Sequence, residues 1–96
     1  MFNELDPILH SQLRLSIISI LMTVEEAEFT FIKASTGAAA GNISIQIKKL
    51  QDAGYVKVEK TFKNNYPNTT VSITNRGIKA FEDYVNDLKK YINPKK

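Results

Sequence analysis

The chain has 96 residues, of which 43% are hydrophobic and 24% charged, with a formal net charge of +3 and no cysteine. This length and composition predict one globular domain over residues 1–96, and the lack of cysteine excludes a disulfide framework and thiolate chemistry. No apolar run reaches the length of a membrane span, and acidic residues stand where a signal peptide has basic ones. We therefore expect a cytoplasmic protein with no membrane partner.

The positive charge is concentrated in the middle of the chain. Residues 33–79 carry eight basic and two acidic side chains, whereas residues 1–32 have a net charge of −4. A basic segment of this kind favours a polyanion as partner. A solvated, lysine-rich surface would give the same distribution, so the charge alone leaves both interpretations open.

The first helix is predicted from its start signals and its periodicity. Asp6 and Pro7 are suited to open a helix, because Asp accepts hydrogen bonds from free amides and Pro fits a first turn. Residues 11–24 predict an amphipathic helix. Its apolar stripe is Leu13, Ile17, Ile18, Leu21 and Val24. Residues 25–27 predict a break in the helix.

Two more helices follow, joined by small residues. Thr30 is expected to cap a short helix over residues 31–36, which Gly37 ends. The next helix is predicted over about residues 40–53 and ends at Gly54. Its inward face at helical spacing is Ile43, Ile47, Leu50 and Ala53.

Alternating residues then predict a β-hairpin over residues 55–74. Its tip, residues 64–68, has the composition of a long turn. The positions expected to point inward are Val56, Val58, Phe62, Val71 and Ile73.

The last helix is predicted over residues 75–92, with Thr74 as its cap. Its apolar residues recur at spacings of three and four, which is a heptad pattern. We expect this face to form the interface of a homodimer, although packing on its own domain would give the same pattern. The predicted interface residues are Ile78, Phe81, Tyr84, Val85, Leu88, Tyr91 and Ile92.

The order of these elements is that of a helix-turn-helix followed by a hairpin wing. The sequence also resembles the winged-helix transcriptional regulators of the MarR/ArsR-like group, in particular small stand-alone ones. The matching stretches are "LDPILHSQLRLSIISIL", "FTFIKASTGAAAGNISIQIKKLQDAGYVKVEK", "TTVSITNRG" and the closing helix.

The resemblance implies an α+β, mostly α, fold with a three-helix core, a β-hairpin wing and a C-terminal dimerisation helix. It implies a homodimeric regulator that binds double-stranded DNA through its third helix. A winged-helix module that binds another protein instead of DNA is the alternative.

The outward face of the third helix carries groups that suit DNA. Asn and Gln can pair with adenine, Ser with several base groups, and lysine ammoniums neutralise phosphates. Ile45 is either an ordinary exposed side chain or a contact for thymine methyl groups. The predicted DNA-binding residues of this helix are Gly41, Asn42, Ser44, Ile45, Gln46, Lys48 and Lys49.

The hairpin carries a second set of predicted DNA contacts, but no arginine at its tip. Backbone-phosphate contact is therefore expected rather than minor-groove reading. Tyr66 either folds back on the hairpin or contacts the sugar-phosphate backbone. The predicted wing residues are Lys60, Lys63, Asn64, Asn65 and Tyr66.

No pattern in the chain favours an enzyme, a cofactor or a metal site. His10 is the only histidine, and zinc needs three or four ligands. Arg14 is expected to pair with an acid such as Asp52 or Glu26. A small-molecule effector cannot be identified from the residues.

Overall fold

A computed structural model of the chain describes residues 2–93. It has four helices and a three-stranded antiparallel sheet, and so confirms the predicted mostly helical α+β winged-helix fold. In chain order the elements are α1 (Gln12–Val24), β1 (Glu26–Glu28), α2 (Phe29–Thr36), α3 (Ala40–Asp52), β2 (Val56–Lys63), β3 (Tyr66–Ile73) and α4 (Asn75–Ile92).

The core lies where α1, α2 and α3 meet the sheet. The inward face of α3 is as predicted, since Ile43 and Leu50 are fully buried and Ile47 nearly so. Burying each such side chain contributes roughly 1.5–3 kcal/mol, so this face fixes the rotation of α3 about its axis. The fully buried side chains are Leu9, Ile17, Ile18, Leu21, Ile32, Ile43, Leu50 and Val71.

The chain before α1 forms a separate turn rather than the start of a helix. Asp6 does accept a hydrogen bond from the Ile8 amide (2.8 Å), but Ser11 is extended (φ −152°) and interrupts the helical run. The second Asp6 oxygen accepts a hydrogen bond from the Tyr55 hydroxyl (2.5 Å). Burial and this hydrogen bond raise the pKa of Tyr55 to about 12. The neutral hydroxyl therefore stabilises the fold below pH 10, and that contribution is lost as the pH rises towards 12.

The predicted break after α1 is partly wrong, because it contains a strand. Glu25, with φ 68°, ends α1, and β1 then pairs with β3 in the sheet order β1-β3-β2. Ala27 lies opposite Val71 and is buried, whereas its two glutamate neighbours are not. The strand leads directly into α2, which begins at Phe29 with Glu28 as its cap position, so Thr30 is not the cap. Gly37 ends α2 in the left-handed conformation, as predicted.

The wing has a tighter tip than predicted. Asn64 and Asn65 alone form the turn, with φ values of 53° and 67°, which matches the two-residue turns that favour Asn. Pro67 therefore belongs to β3, opposite Phe62. Proline is tolerated there because β1 pairs with β3 only up to Thr70, which leaves the other side of Pro67 unpaired.

The inward orientation predicted for Phe62 is wrong, because its side chain is 78% exposed. Val56 and Val71 near the base of the hairpin are buried, but the outer half extends beyond the helices that cover it. The wing is therefore anchored at its base and projects its tip.

Helix α4 is joined tightly to the turn between α3 and β2. Thr74 caps it as predicted and accepts a hydrogen bond from the Gly77 amide (3.0 Å). The same hydroxyl donates to the Gly54 carbonyl (2.7 Å), and the Thr74 amide donates to the Tyr55 carbonyl (3.0 Å). Gly77 lies so close to Tyr55 that a Cβ would overlap the Tyr55 carbonyl oxygen.

The middle and end of α4 pack against the N-terminal segment of the same chain. Tyr84 is only 5% exposed, and its hydroxyl lies 3.0 Å from Nδ1 of His10. Tyr84 is therefore a core residue of its own chain, which corrects its assignment to the dimer face. Phe2 stacks on Tyr91 with ring centroids 4.7 Å apart.

The described chain is elongated, with extents of 55 × 25 × 21 Å and a radius of gyration of 14.6 Å. A compact chain of this length has a radius of about 12–13 Å. The excess agrees with the projecting wing. Within residues 2–93 no helix has both the length and the apolar character that crossing a membrane requires.

We predict that Gly77→Ala lowers the free energy of unfolding by about 3 kcal/mol, because the added methyl group must displace the Tyr55 backbone. Gly41→Ala is the matched control, since a Cβ there meets nothing within 4 Å. It should leave stability unchanged or raise it by up to about 1 kcal/mol. Urea unfolding at one fixed protein concentration measures both, and equal midpoints would contradict the close approach.

Candidate nucleic-acid interface

The solvent face of α3 displays the side chains that the sequence predicts for DNA binding. Ile45 is 56% exposed, and apart from Gln46, which is half-buried, the other predicted members of this face are exposed. The opposite side of the same helix is buried in the core. The helix is therefore held rigidly from behind while its polar side stays open.

The start of α3 has no side-chain cap. Its cap position is Ala39, which offers no side-chain acceptor to the first amides of the helix. Ala39, Ala40 and Gly41 are all exposed. The free amides and the positive end of the helix dipole make this end attractive to an anion.

Three polar side chains connect α1 to this face of α3. Arg14 donates to Oε1 of Gln46 (2.5 Å), and Nε2 of Gln46 donates to Oδ1 of Asn42 (2.9 Å). The oxygen and the nitrogen of the Gln46 amide are thus both hydrogen-bonded to other side chains of the protein. Gln46 therefore holds Asn42 in place rather than presenting a free amide to solvent.

The expected pairing of Arg14 with an acid is wrong. Besides Gln46, its guanidinium donates to the backbone carbonyls of Ile8 (2.6 Å) and Pro7 (3.4 Å). Asp52 lies nearly two turns beyond Gln46 along α3 and pairs with Lys48 instead. No pattern in the sequence indicates the Arg14 contacts, because its partners are two backbone carbonyls and a side chain 32 positions away.

The two lysines of α3 differ in their surroundings. Lys48 forms an ion pair with Asp52 (2.9 Å), in which both side chains are more than 60% exposed. Such a pair is worth about 0–1 kcal/mol, so a phosphate can compete for Lys48. Lys49 is exposed and has no ion pair with any residue in the range 2–93.

A cleft of about 400 Å³ separates α3 from the wing. Ser44 and Lys48 line it from α3, and Lys60 lines it from β2. Lys60 is on the same side of the hairpin as Val56 and Val58, but beyond the covered part. The cleft therefore has two ammonium groups along its walls, together with the hydroxyls of Ser44 and Thr69.

The tip of the wing is open to solvent. Asn64, Asn65 and Tyr66 are exposed, and at 73% exposure the Tyr66 ring is not folded back against the hairpin. Lys63 forms an ion pair with Glu28 of β1 (3.2 Å), which ties the outer wing to this short strand.

The predicted dimer face of α4 divides into two parts. Phe81 and Leu88 pack against the core of their own chain. Ile78, Val85 and Ile92, spaced by seven residues, are not among the side chains packed on that core. Ile92 is 75% exposed, and Val85 lines a shallow groove of about 310 Å³ with Met22 and Phe81.

A larger cavity of about 580 Å³ lies between the N-terminal segment, Tyr55 and α4. Four acids line it, and three of them have partners: Asp6 accepts a hydrogen bond from Tyr55, Asp83 from Lys79 and Asp87 from Asn3. Over residues 2–93, no group of three or more potential ligands could hold a metal ion.

A family model described as the winged helix DNA-binding domain matches residues 13–92. The chain belongs to the winged helix DNA-binding domain family. An uncharacterized protein of Methanocaldococcus jannaschii is 31% identical over 81 residues, which cover 84% of this chain and 88% of that protein. The structure of a transcriptional regulator homologue from Pyrococcus horikoshii OT3 matches with a TM-score of 0.85 and 30% identity, over 91% of this chain and 86% of the other.

Solved structures of lower identity share the winged helix fold. A putative transcriptional regulator from Thermoplasma acidophilum has a TM-score of 0.73 at 24% identity, covering 88% of this chain and 86% of that chain. A mutant MarR from E. coli, solved in complex with operator DNA, has a TM-score of 0.71 at 13% identity. That match covers 93% of this chain and 63% of the MarR chain. These two similarities confirm the predicted MarR-like fold, and at this level of identity they show the fold alone.

We predict that Asp52→Asn strengthens binding to duplex DNA several-fold, because it releases Lys48 from its ion pair. The slope of log affinity against log salt should steepen by up to about one. Asp83→Asn is the matched control, since it releases Lys79 of α4 with the same change in net charge. Fluorescence polarisation across a salt series measures both variants, and an equal gain for the two would show that net charge alone is responsible.

Proposed function

We propose that this winged helix protein is a sequence-specific transcriptional regulator that binds DNA as a homodimer in the cytoplasm. The observation that carries the proposal is the two-sided character of α3. Its apolar side is locked in the core by Ile43, Ile47 and Leu50, and its open side carries base-reading and phosphate-binding groups. The P. horikoshii regulator homologue supports the proposal through similarity along most of both chains.

In this proposal α3 enters the major groove. Asn42 and Ser44 contact base edges, Ile45 contacts thymine methyl groups, and Lys48 and Lys49 contact phosphates. The bare start of α3 at Gly41 allows a phosphate oxygen to approach the free amides. Gln46 acts from within the protein by holding Asn42.

The wing lies beside the groove in the same arrangement. Lys60 faces the cleft next to α3, so it would contact the phosphates that border the major groove. Lys63, Asn64, Asn65 and Tyr66 project further out and suit contacts with the sugar-phosphate backbone. Without an arginine at the tip, we assign no base reading to the wing.

The dimer is proposed to form through the side chains of α4 that lie outside the core of their own chain, of which Ile92 is exposed and Ile78 and Val85 are half-buried. Ile78, Val85 and Ile92 form a stripe at heptad spacing, and Phe81 and Met22 border the groove beside it. A two-fold dimer of this kind must place its two α3 helices about 34–36 Å apart to meet successive major grooves. An effector that changes this distance would control binding, but none is assigned.

We predict that different side chains of α3 determine the affinity for DNA and the preference among DNA sequences. Lys48→Ala with Lys49→Ala should weaken binding to every duplex and reduce the salt slope by about two, because two phosphate contacts are lost. Asn42→Ala should instead relax the preference among duplexes and leave the slope unchanged. The matched control is Lys89→Ala with Lys90→Ala, a lysine pair in the last turn of α4. Polarisation titrations with a selected and a scrambled duplex measure all three.

An unchanged slope for the α3 lysine pair would contradict the assigned surface. If the parent chain binds no duplex even at low salt, the proposal fails. The alternative of a protein-interaction module would then account for the fold.

We predict that Val85→Asp converts a dimer into a monomer, because it places a charge in the α4 stripe that lies outside the core, without removing a core side chain. Ile45→Asp is the control, since it places the same charge at an exposed isoleucine of α3 and should not change the mass. Light scattering with size-exclusion chromatography gives both masses. A parent chain of monomer mass at all concentrations would contradict the dimer.

A further inference from the structure

Arg14 connects its own helix, α1, to the N-terminal turn just before it and to α3, 32 residues further along the chain. Its Nε and Nη2 donate to the carbonyls of Ile8 and Pro7 in the N-terminal turn, and its Nη1 donates to Gln46 of α3. All three guanidinium nitrogens are therefore engaged inside the protein. Arg14 is half-buried in α1, which packs against α3, and its charge has no acidic partner within residues 2–93.

The contact with Gln46 determines the orientation of a second amide. Arg14 donates a hydrogen bond to the side-chain oxygen of Gln46, which places the Gln46 nitrogen on the side of Asn42. That nitrogen donates to Oδ1 of Asn42. Asn42 can satisfy this donor only with its oxygen. The chain of two hydrogen bonds therefore selects one of the two orientations of the exposed Asn42 amide.

From this geometry we infer that Arg14 is a positioning residue that sets the sequence specificity of the α3 surface through Gln46 and Asn42, without contacting DNA. The inference rests on the proposed function and deepens it. It assigns specificity to a residue of α1 that lies behind the recognition surface.

The fixed orientation of Asn42 also indicates which base it recognises. Its Nδ2 has no hydrogen-bond acceptor within residues 2–93, and its oxygen keeps one lone pair beyond the bond from Gln46. One donor beside one acceptor on a side-chain amide matches N7 and N6 of adenine in the major groove. If the Asn42 amide were free to rotate, its oxygen and its nitrogen could exchange places. It would then discriminate less well between adenine and the other bases.

The guanidinium group is required for this arrangement. Its planar fork donates in two directions at once, towards the carbonyls of the turn and towards α3. A lysine ammonium carries the same charge as a single point and cannot span both sides from the same position. Arg14→Lys should therefore behave like Arg14→Met in specificity while keeping the charge of the parent.

The first test needs no DNA. Side-chain ¹⁵N relaxation should show the amides of Asn42 and Gln46 in the free parent chain to be nearly as ordered as the backbone of α3. In Arg14→Met both amides should become mobile, while the backbone amides of α3 keep their order. Amides that are mobile in the parent, or that stay ordered in Arg14→Met, would overturn the inference.

The second test measures specificity directly. The parent chain is used to select duplexes from a randomised library, and affinities are measured for the best duplex and for its single-base variants. Arg14→Met and Arg14→Lys should reduce discrimination at the adenine position by about 3- to 10-fold. The salt slope should stay constant, because no phosphate contact is lost. Arg76→Met is the matched control, since Arg76 is the other arginine of the chain and lies near Gly54 at the far end of α3.

A double-mutant cycle identifies the route of the effect. If Arg14 acts through Gln46, then Arg14→Met adds no further loss of discrimination to Gln46→Met. Additive losses, or full discrimination in Arg14→Met, would overturn the inference while leaving the proposed function intact. A parent chain that selects no sequence at all would overturn the proposed function and this inference with it.

Discussion

The close approach of Gly77 to the Tyr55 carbonyl is the constraint on which the arrangement of the functional elements depends. It brings the first turn of α4 against the turn that joins α3 to the wing, and Thr74 adds hydrogen bonds to both sides of that contact. The end of α3, the base of the wing and the start of α4 therefore share one rigid junction. In a dimer formed through α4, this junction is the link that would relate the orientation of one α3 to the other.

A second connection reaches the middle of α3, at Gln46. Asp6 of the N-terminal turn accepts a hydrogen bond from Tyr55, and Arg14 of α1 joins a carbonyl of the same turn to Gln46. The turn therefore contacts the junction directly and the proposed recognition surface through Arg14. The same N-terminal segment also packs along α4 through the Phe2–Tyr91 stack. A change in the N-terminal segment can thus reach the side chains proposed to contact DNA without unfolding α3, because the links from the turn to Arg14 and from Arg14 to Gln46 are hydrogen bonds.

Sequence alone predicts the parts of this structure that are set locally. The inward face of α3, the Thr74 cap and the Gly37 end of α2 follow from side chains within a few positions of one another. Strand β1 was missed because three residues carry too little pattern, and it exists only through pairing with β3, more than 40 residues away. The heptad of α4 predicted an apolar face correctly but could not assign Tyr84 to its own core, since periodicity does not distinguish an internal partner from a second chain. The Arg14 contacts could not be predicted from the sequence for a related reason, because they depend on how α1 packs against α3.

The charges of the surface indicate how this protein would balance affinity against specificity. Lys48 and Lys63 are each paired with an acid of their own chain, so binding a phosphate through them requires an existing contact to be exchanged. Such an exchange gains less than a new contact would, and it limits the affinity for DNA of any sequence. In the proposed complex the held amide of Asn42 would have the opposite effect, because Gln46 already orients it in the free protein and less entropy would be lost on binding. Weak general attraction together with pre-ordered base contacts favours discrimination between sequences over tight binding to all of them.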